Sequence, residues 1–181
     1  ELDKLASLPD GTPLTAERVG ELVGIRHGET VWDWRDAVLG DEPGRAVSLL
    51  PSVLAQSGVS GVKLVTMLGT ALVGLGIARA HYDRGLRSGA LEGAVFKSLL
   101  GSRPFGLLGY KEEARRWGQW APNWPGQRIR AALRAARDAD EALKTTTISD
   151  ERGVLTELVL RVKDWKGGND GKDGKEGPMT G

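Results

Sequence analysis

The chain has 181 residues, 40% hydrophobic and 27% charged, which is enough for one core-forming domain and part of another. A formal net charge of +1 gives no bulk-charge signature of a nucleic-acid binder. The absence of cysteine excludes disulfides and thiolate metal sites.

In chain order, Leu2, Leu5 and Leu8 fall at helical spacing until Pro9-Asp10-Gly11-Thr12-Pro13 breaks the pattern. Thr15 is placed to cap a short helix carrying Val19, Leu22 and Val23, with Gly24 as its stop. These two helices have too little apolar surface to fold alone. The expectation is the end of a domain that begins earlier, in a piece of a longer protein.

Val31, Trp34 and Val38 predict a helix closed by Gly40, and Pro43 suits the first turn of the next. That second helix has Ala46, Val47, Leu50, Val53 and Leu54 at apolar positions, and Pro51 inside it predicts a kink or a split. Residues 60–84 read as the longest and most apolar helix, with fifteen uncharged residues between Lys63 and Arg79. A membrane span needs about 20 apolar residues, so a buried central helix is expected. Gly69, Gly74 and Gly76 would let a neighbouring helix come close. Gly74-Leu75-Gly76 lacks the preceding strand and the glycine pattern of a phosphate loop.

Gly85 ends this helix. A shorter one is predicted over 88–100, with Leu91, Val95, Leu99 and Leu100 inward. The turn at 101–106 presents Phe105, and residues 109–119 form a helix around Ala114 and Trp117. Pro122 and Pro125 bound a loop holding Trp124. Gln127 to Lys144 is a strong helix with Ile129, Leu133, Ala136 and Leu143 on one stripe and Arg128, Arg130, Arg134 and Arg137 on its polar side. Ser149 is expected to cap the last helix, with Asp150 and Glu151 in its first turn. Val154, Leu155, Leu158, Val159 and Val162 make its buried face. Residues 167–177 contain no hydrophobe and predict a disordered tail over 166–181. No segment reads as a strand, so the expected class is all-α.

Charge is unevenly spread: residues 1–60 hold five Lys/Arg and ten Asp/Glu, whereas residues 97–137 hold nine and two. The basic stretch could orient partners or attract phosphates. Asp140 falls on the apolar stripe, where a half-buried carboxylate needs a donor. Lys144 one turn on, or Arg161, would supply it, in an ion pair that locks two helices. Glu112 and Glu113 point about 100° apart on a helix, so they are expected to pair on the surface with Lys111, Arg115 or Arg116 rather than share a site. Phe105 and Trp124 are aromatic candidates for base stacking, against core packing as the plainer role. His27 and His81 are far apart, and no zinc spacing, Walker A sequence or G-x-S-x-G is present. No catalytic residues, metal or cofactor are therefore expected.

In its order of segments the chain resembles the delta subunit of the bacterial DNA polymerase III clamp loader. Glu1-Leu2-Asp3-Lys4-Leu5 is similar to the family's "ELEKL" helix, and Leu14-Thr15-Ala16-Glu17-Arg18-Val19 to its "IT-x-E-x-V" helix. Residues 31–41 resemble its "F-x-L-v-D-A-L-L-x-G-D" segment, and 46–54 its "A-L-x-x-L-x-x-L-L" helix. Pro104-Phe105 with Glu113-Ala114-Arg115-Arg116-Trp117 resembles "P-F…Q-A-R-x-[FW]". Residues 139–145 resemble "E-A-D-x-x-L-K-T", and 155–162 the closing "L-E-x-L-x-L-x-L". Pro51, the stretch 120–125, Thr146-Thr147 and the charged tail depart from the pattern.

The resemblance implies the end of an AAA+ lid over 1–28 and a helical collar over 29–165. It implies a cytoplasmic replication subunit with no intrinsic activity, joining the gamma/tau and delta-prime subunits in a ring. Opening of the sliding clamp belongs to the family's N-terminal domain, so it is not expected of this stretch. An aromatic near Phe105 would approach primer–template DNA, with Arg103, Arg115 and Arg116 as companion candidates. Asp140 and Lys144 would be structural, and no membrane is involved. The rival readings are a standalone nucleic-acid-binding domain using the basic region, and a small helical enzyme using Asp140 with an arginine.

Overall fold

A computed structural model describes residues 30–104, 107, 109–145 and 150–165. The expected lid helices, His27, Phe105, Ser149 and the tail lie outside the described residues. Everything regular among the described residues is helical, as expected: seven α-helices and one short 3-10 turn.

The first helix, α1 (Val31–Leu39), starts on a capping box. The Asp33 amide donates to Thr30 Oγ1 at 3.2 Å, and the Thr30 amide donates to the Asp33 carboxylate at 2.7 Å. Gly40 closes it. The second, α2 (Pro43–Leu54), has proline in its first turn and is not split by Pro51. Pro51 sits exposed near the C-terminal end, and the one bond it removes is that to the Val47 carbonyl, one turn back.

The axis of the fold is α3 (Gly61–Asp83), capped by Ser60. Leu64, Leu68, Ala71, Leu72, Leu75 and Ala78 are fully buried along it. By length and apolarity α3 alone would pass for a membrane span, but half of its most apolar 18-residue window is buried in the bundle. Around it pack α4 (Ser88–Ser102), α5 (Tyr110–Trp120) with the 3-10 turn Ala121–Asn123, α6 (Gly126–Thr145) and α7 (Glu151–Lys163). α1 pairs with α2, α4 with α5 and α6 with α7, while α7 also packs on α2 and so joins the last helix to the first pair.

Several details differ from the expectation. Of the three interior glycines of α3, only Gly74 admits a close neighbour: a Cβ there would collide with the six-membered ring of Trp117, whereas one at Gly69 would meet nothing within 4 Å. Leu100 is 49% exposed, because α4 buries the i, i+4, i+8 line of Leu91, Val95 and Leu99. The buried stripe of α6 is Ile129, Ala132, Ala135, Ala136 and Ala139, with Leu133 and Leu143 at its margins. Small residues on that stripe let α3 and α7 approach. The cap of α7 is Asp150, whose carboxylate accepts from the Gly153 amide at 2.8 Å.

Candidate functional site

The polar side of α1 carries the densest charge network. Arg35 is completely buried and donates to Glu113 on α5 at 2.8 Å. Its Nε and Nη2 also fork onto Asp36 Oδ1 at 2.8 and 2.6 Å. The other Asp36 oxygen accepts from Arg116. Arg116 in turn donates to Glu112 at 3.0 Å, and Glu112 pairs with Arg115 at 2.8 Å. The hydrogen bond from Arg115 holds the Glu112 carboxyl below its ordinary value. Six charges thus form one chain between α1 and α5. The surface pairing expected of Glu112 is present. That expected of Glu113 is not: it is 2% exposed, because it lies on the buried 113, 114, 117 line of α5, where Arg35 meets it.

A second network radiates from Asp41 in the α1–α2 turn, a non-glycine residue at φ 68°. Its carboxylate accepts from Arg128 on α6 at 2.8 Å and from Lys163 on α7 at 3.1 Å. Burial pushes the Asp41 carboxyl up, but these two cations outweigh it and hold the group below its ordinary value. The Arg128 guanidinium lies over the Trp124 ring, 4.1 Å from its centroid, and the Trp124 indole N–H donates to the Leu39 carbonyl at 2.9 Å. Arg128 is therefore buried rather than part of the solvated face, and Trp124 is a core residue rather than a base-stacking one.

The DNA-proximal candidates separate. Arg115 and Arg116 are held by carboxylates. Arg103 is exposed in the left-handed conformation at the end of α4, with no ion pair among the described residues. Arg130, Arg134 and Arg137 are exposed and without an acid partner among the described residues, at i, i+4 and i+7 on one stripe of α6.

Asp140 is intermediate in exposure and pairs with Lys144 at 2.6 Å, one turn along the same helix. It does not lock two helices. The bridge between α6 and α7 is Asp138 to Arg161 at 2.7 Å. The cleft there, about 80 Å³ and bordered by Asp138, Glu157 and Arg161, does not include Asp140. His81 Nε2 lies 3.2 Å from Ser98 Oγ, a pairing the sequence did not reveal. The Ser98 hydroxyl donates to the Ala94 carbonyl at 3.0 Å, so the serine proton is directed away from the imidazole. Among the described residues no group of three His, Cys, Asp or Glu could hold a metal ion.

Comparison with protein-family models, with curated proteins and with solved structures found no match.

Proposed function

We propose that this chain is a structural assembly module whose work is to present rigid helix faces to other subunits. More particularly, we read it as the lid end and helical collar of the delta subunit of a bacterial clamp loader. It would join the gamma/tau and delta-prime subunits in the ring that loads the sliding clamp onto primed DNA.

One observation carries this reading. Several of the residues at which the chain resembles that family cross-link its helices. Asp36 and Asp41, from the stretch 31–41, hold α5, α6 and α7. Glu113 and Trp117, from 113–117, hold α1 and α3. A collar needs such cross-linking, because it must transmit ring contacts without deforming.

Native mass spectrometry of the chain mixed with its cognate gamma/tau and delta-prime subunits tests this. One copy in a five-subunit ring is the expected result. A chain that is folded by circular dichroism yet absent from every complex would overturn it.

The exposed stripe of Arg130, Arg134 and Arg137 favours a second reading, a standalone nucleic-acid-binding domain. Its signature would be duplex binding without loader subunits, weakening steeply with salt.

A further inference from the structure

The long helix α3 is uncharged from Leu64 to Ala78, yet among the described residues its neighbours cover only part of it. On the uncovered side Gly69, Thr70, Val73 and Ile77 form one wall of a groove of about 370 Å³, with Leu99 and Trp117 opposite. Val73 is 55% exposed, and Leu100, next to Leu99, is 49% exposed. From Gly69 to Ile77 the wall runs about 12 Å, two helical turns. That length accepts the i, i+3/i+4, i+7 anchors of one amphipathic helix. The open space beside Gly69 gives such a helix room to approach. The recessed shape suits an inserted helix better than a lipid surface, which an apolar ridge would engage.

Charge selects the occupant. No carboxylate occurs from Val62 to Tyr82, nor from Gly93 to Lys111. The second stretch carries Lys97, Arg103 and Lys111, all exposed and without an ion pair among the described residues. Arg103 lies between Ser102 and Pro104, both of which line the groove. A basic partner would be repelled by Arg103, and an acidic one would find it an unpaired cation at the rim, with no carboxylate in either flanking stretch.

We propose that this groove docks an acidic amphipathic helix of a partner protein. Its apolar stripe would sit on Val73, Ile77 and Leu99, and a carboxylate beside that stripe would face Arg103. The docking does not depend on the clamp-loader assignment, because a free peptide suffices to test it.

The probe is a twenty-residue synthetic peptide with leucine at i, i+3, i+4 and i+7 and glutamate on its polar face. A twin carrying lysine in place of glutamate is the control. Titration calorimetry with the full chain should give saturable 1:1 binding of the acidic peptide and none of the twin. Val73→Glu, at a site already exposed, and Gly69→Leu, which fills the groove, should each weaken binding at least about tenfold. Arg103→Glu should weaken it most at low salt. Circular dichroism of each variant separates lost docking from lost folding. Equal binding of both peptides, or acidic binding indifferent to Val73→Glu in a folded variant, would overturn the proposal. So would dimerisation of the chain, or binding to anionic phosphatidylserine vesicles, abolished by the same two variants.

Discussion

Arg35 and Glu113 stand 78 residues apart in sequence and meet at 2.8 Å, with side chains 0% and 2% exposed. A buried pair of this kind is stabilising only relative to losing one partner, since desolvating both ions offsets their attraction. Its value here is specificity: the pair fixes the point at which α5 meets α1, because any other arrangement leaves a charge buried alone. Arg35→Met should therefore cost about 3–5 kcal/mol by urea unfolding, leaving Glu113 uncompensated. The double variant Arg35→Met/Glu113→Met should recover most of that loss. Additive losses in the double variant would show that the two residues are not coupled.

Gly74 and Gly69 lie on one helix and should respond in opposite directions. Alanine at Gly74 must displace Trp117 and should destabilise by about 1–3 kcal/mol. Alanine at Gly69 meets nothing within 4 Å and should stabilise by about 0.5–1 kcal/mol through helix propensity. Paired denaturant curves read both, and equal effects of the same sign would remove Gly74–Trp117 packing as the cause.

These contrasts mark what the sequence made legible. Helix positions and class followed from apolar spacing, a first-turn proline and glycine stops, as at Pro43 and Gly40, whereas the Thr30 cap did not stand out. The partners of charges did not. Glu112 and Glu113 look alike in sequence, yet one is exposed and the other buried, because which side of α5 meets α1 is a tertiary fact. Arg128 and Arg130 present the same problem, and what separates them is the stack of Arg128 on Trp124, set by the fold, and its bond to the distant Asp41. Trp124 itself read as a loop aromatic, since its indole reaches back 85 residues to the Leu39 carbonyl. Nothing local announces so distant a bond.

Asp41 links pH to stability through its two cations. Its folded value lies below the ordinary 3.8, so its contribution is fully present above that pH and is lost as pH falls through the folded value. Asn tolerates the left-handed backbone, so Asp41→Asn removes charge without adding strain. The carboxylate is 43% exposed, which limits the tether to about 1 kcal/mol, or roughly 3 °C in Tm. Thermal melts should show that deficit for Asp41→Asn at pH 7, and the gap should close as pH falls below 3.8 through the folded value. A gap that persists in acid would assign the effect to geometry rather than charge.

Asp140 draws attention in the sequence but carries little in the fold. Its bond to Lys144 stays within α6, so Lys144→Ala should cost at most about 0.5 kcal/mol. Disrupting Asp138–Arg161, which ties two helices through exposed side chains, should cost no more than about 1 kcal/mol. A double-mutant cycle on each pair measures the coupling. A value above about 2 kcal/mol for Asp140–Lys144 would mean that the pair acts beyond its own helix.

The basic residues divide by what already neutralises them. Arg116 is held by Asp36 and Glu112, so Arg116→Ala should lower Tm and leave any duplex-DNA affinity nearly unchanged. Arg130, Arg134 and Arg137 have no carboxylate to lose, so their joint replacement by glutamine should leave Tm within about 2 °C. If the chain binds duplex DNA at all, the triple variant should flatten the dependence of log K on log salt by roughly three units, one for each phosphate contact removed. Fluorescence anisotropy between 50 and 200 mM salt, on the order of the usual working range, reads that slope. A slope reduced by Arg116→Ala but not by the triple variant would place the phosphate contacts on α5, and would require the Asp36 and Glu112 bonds to open when DNA binds.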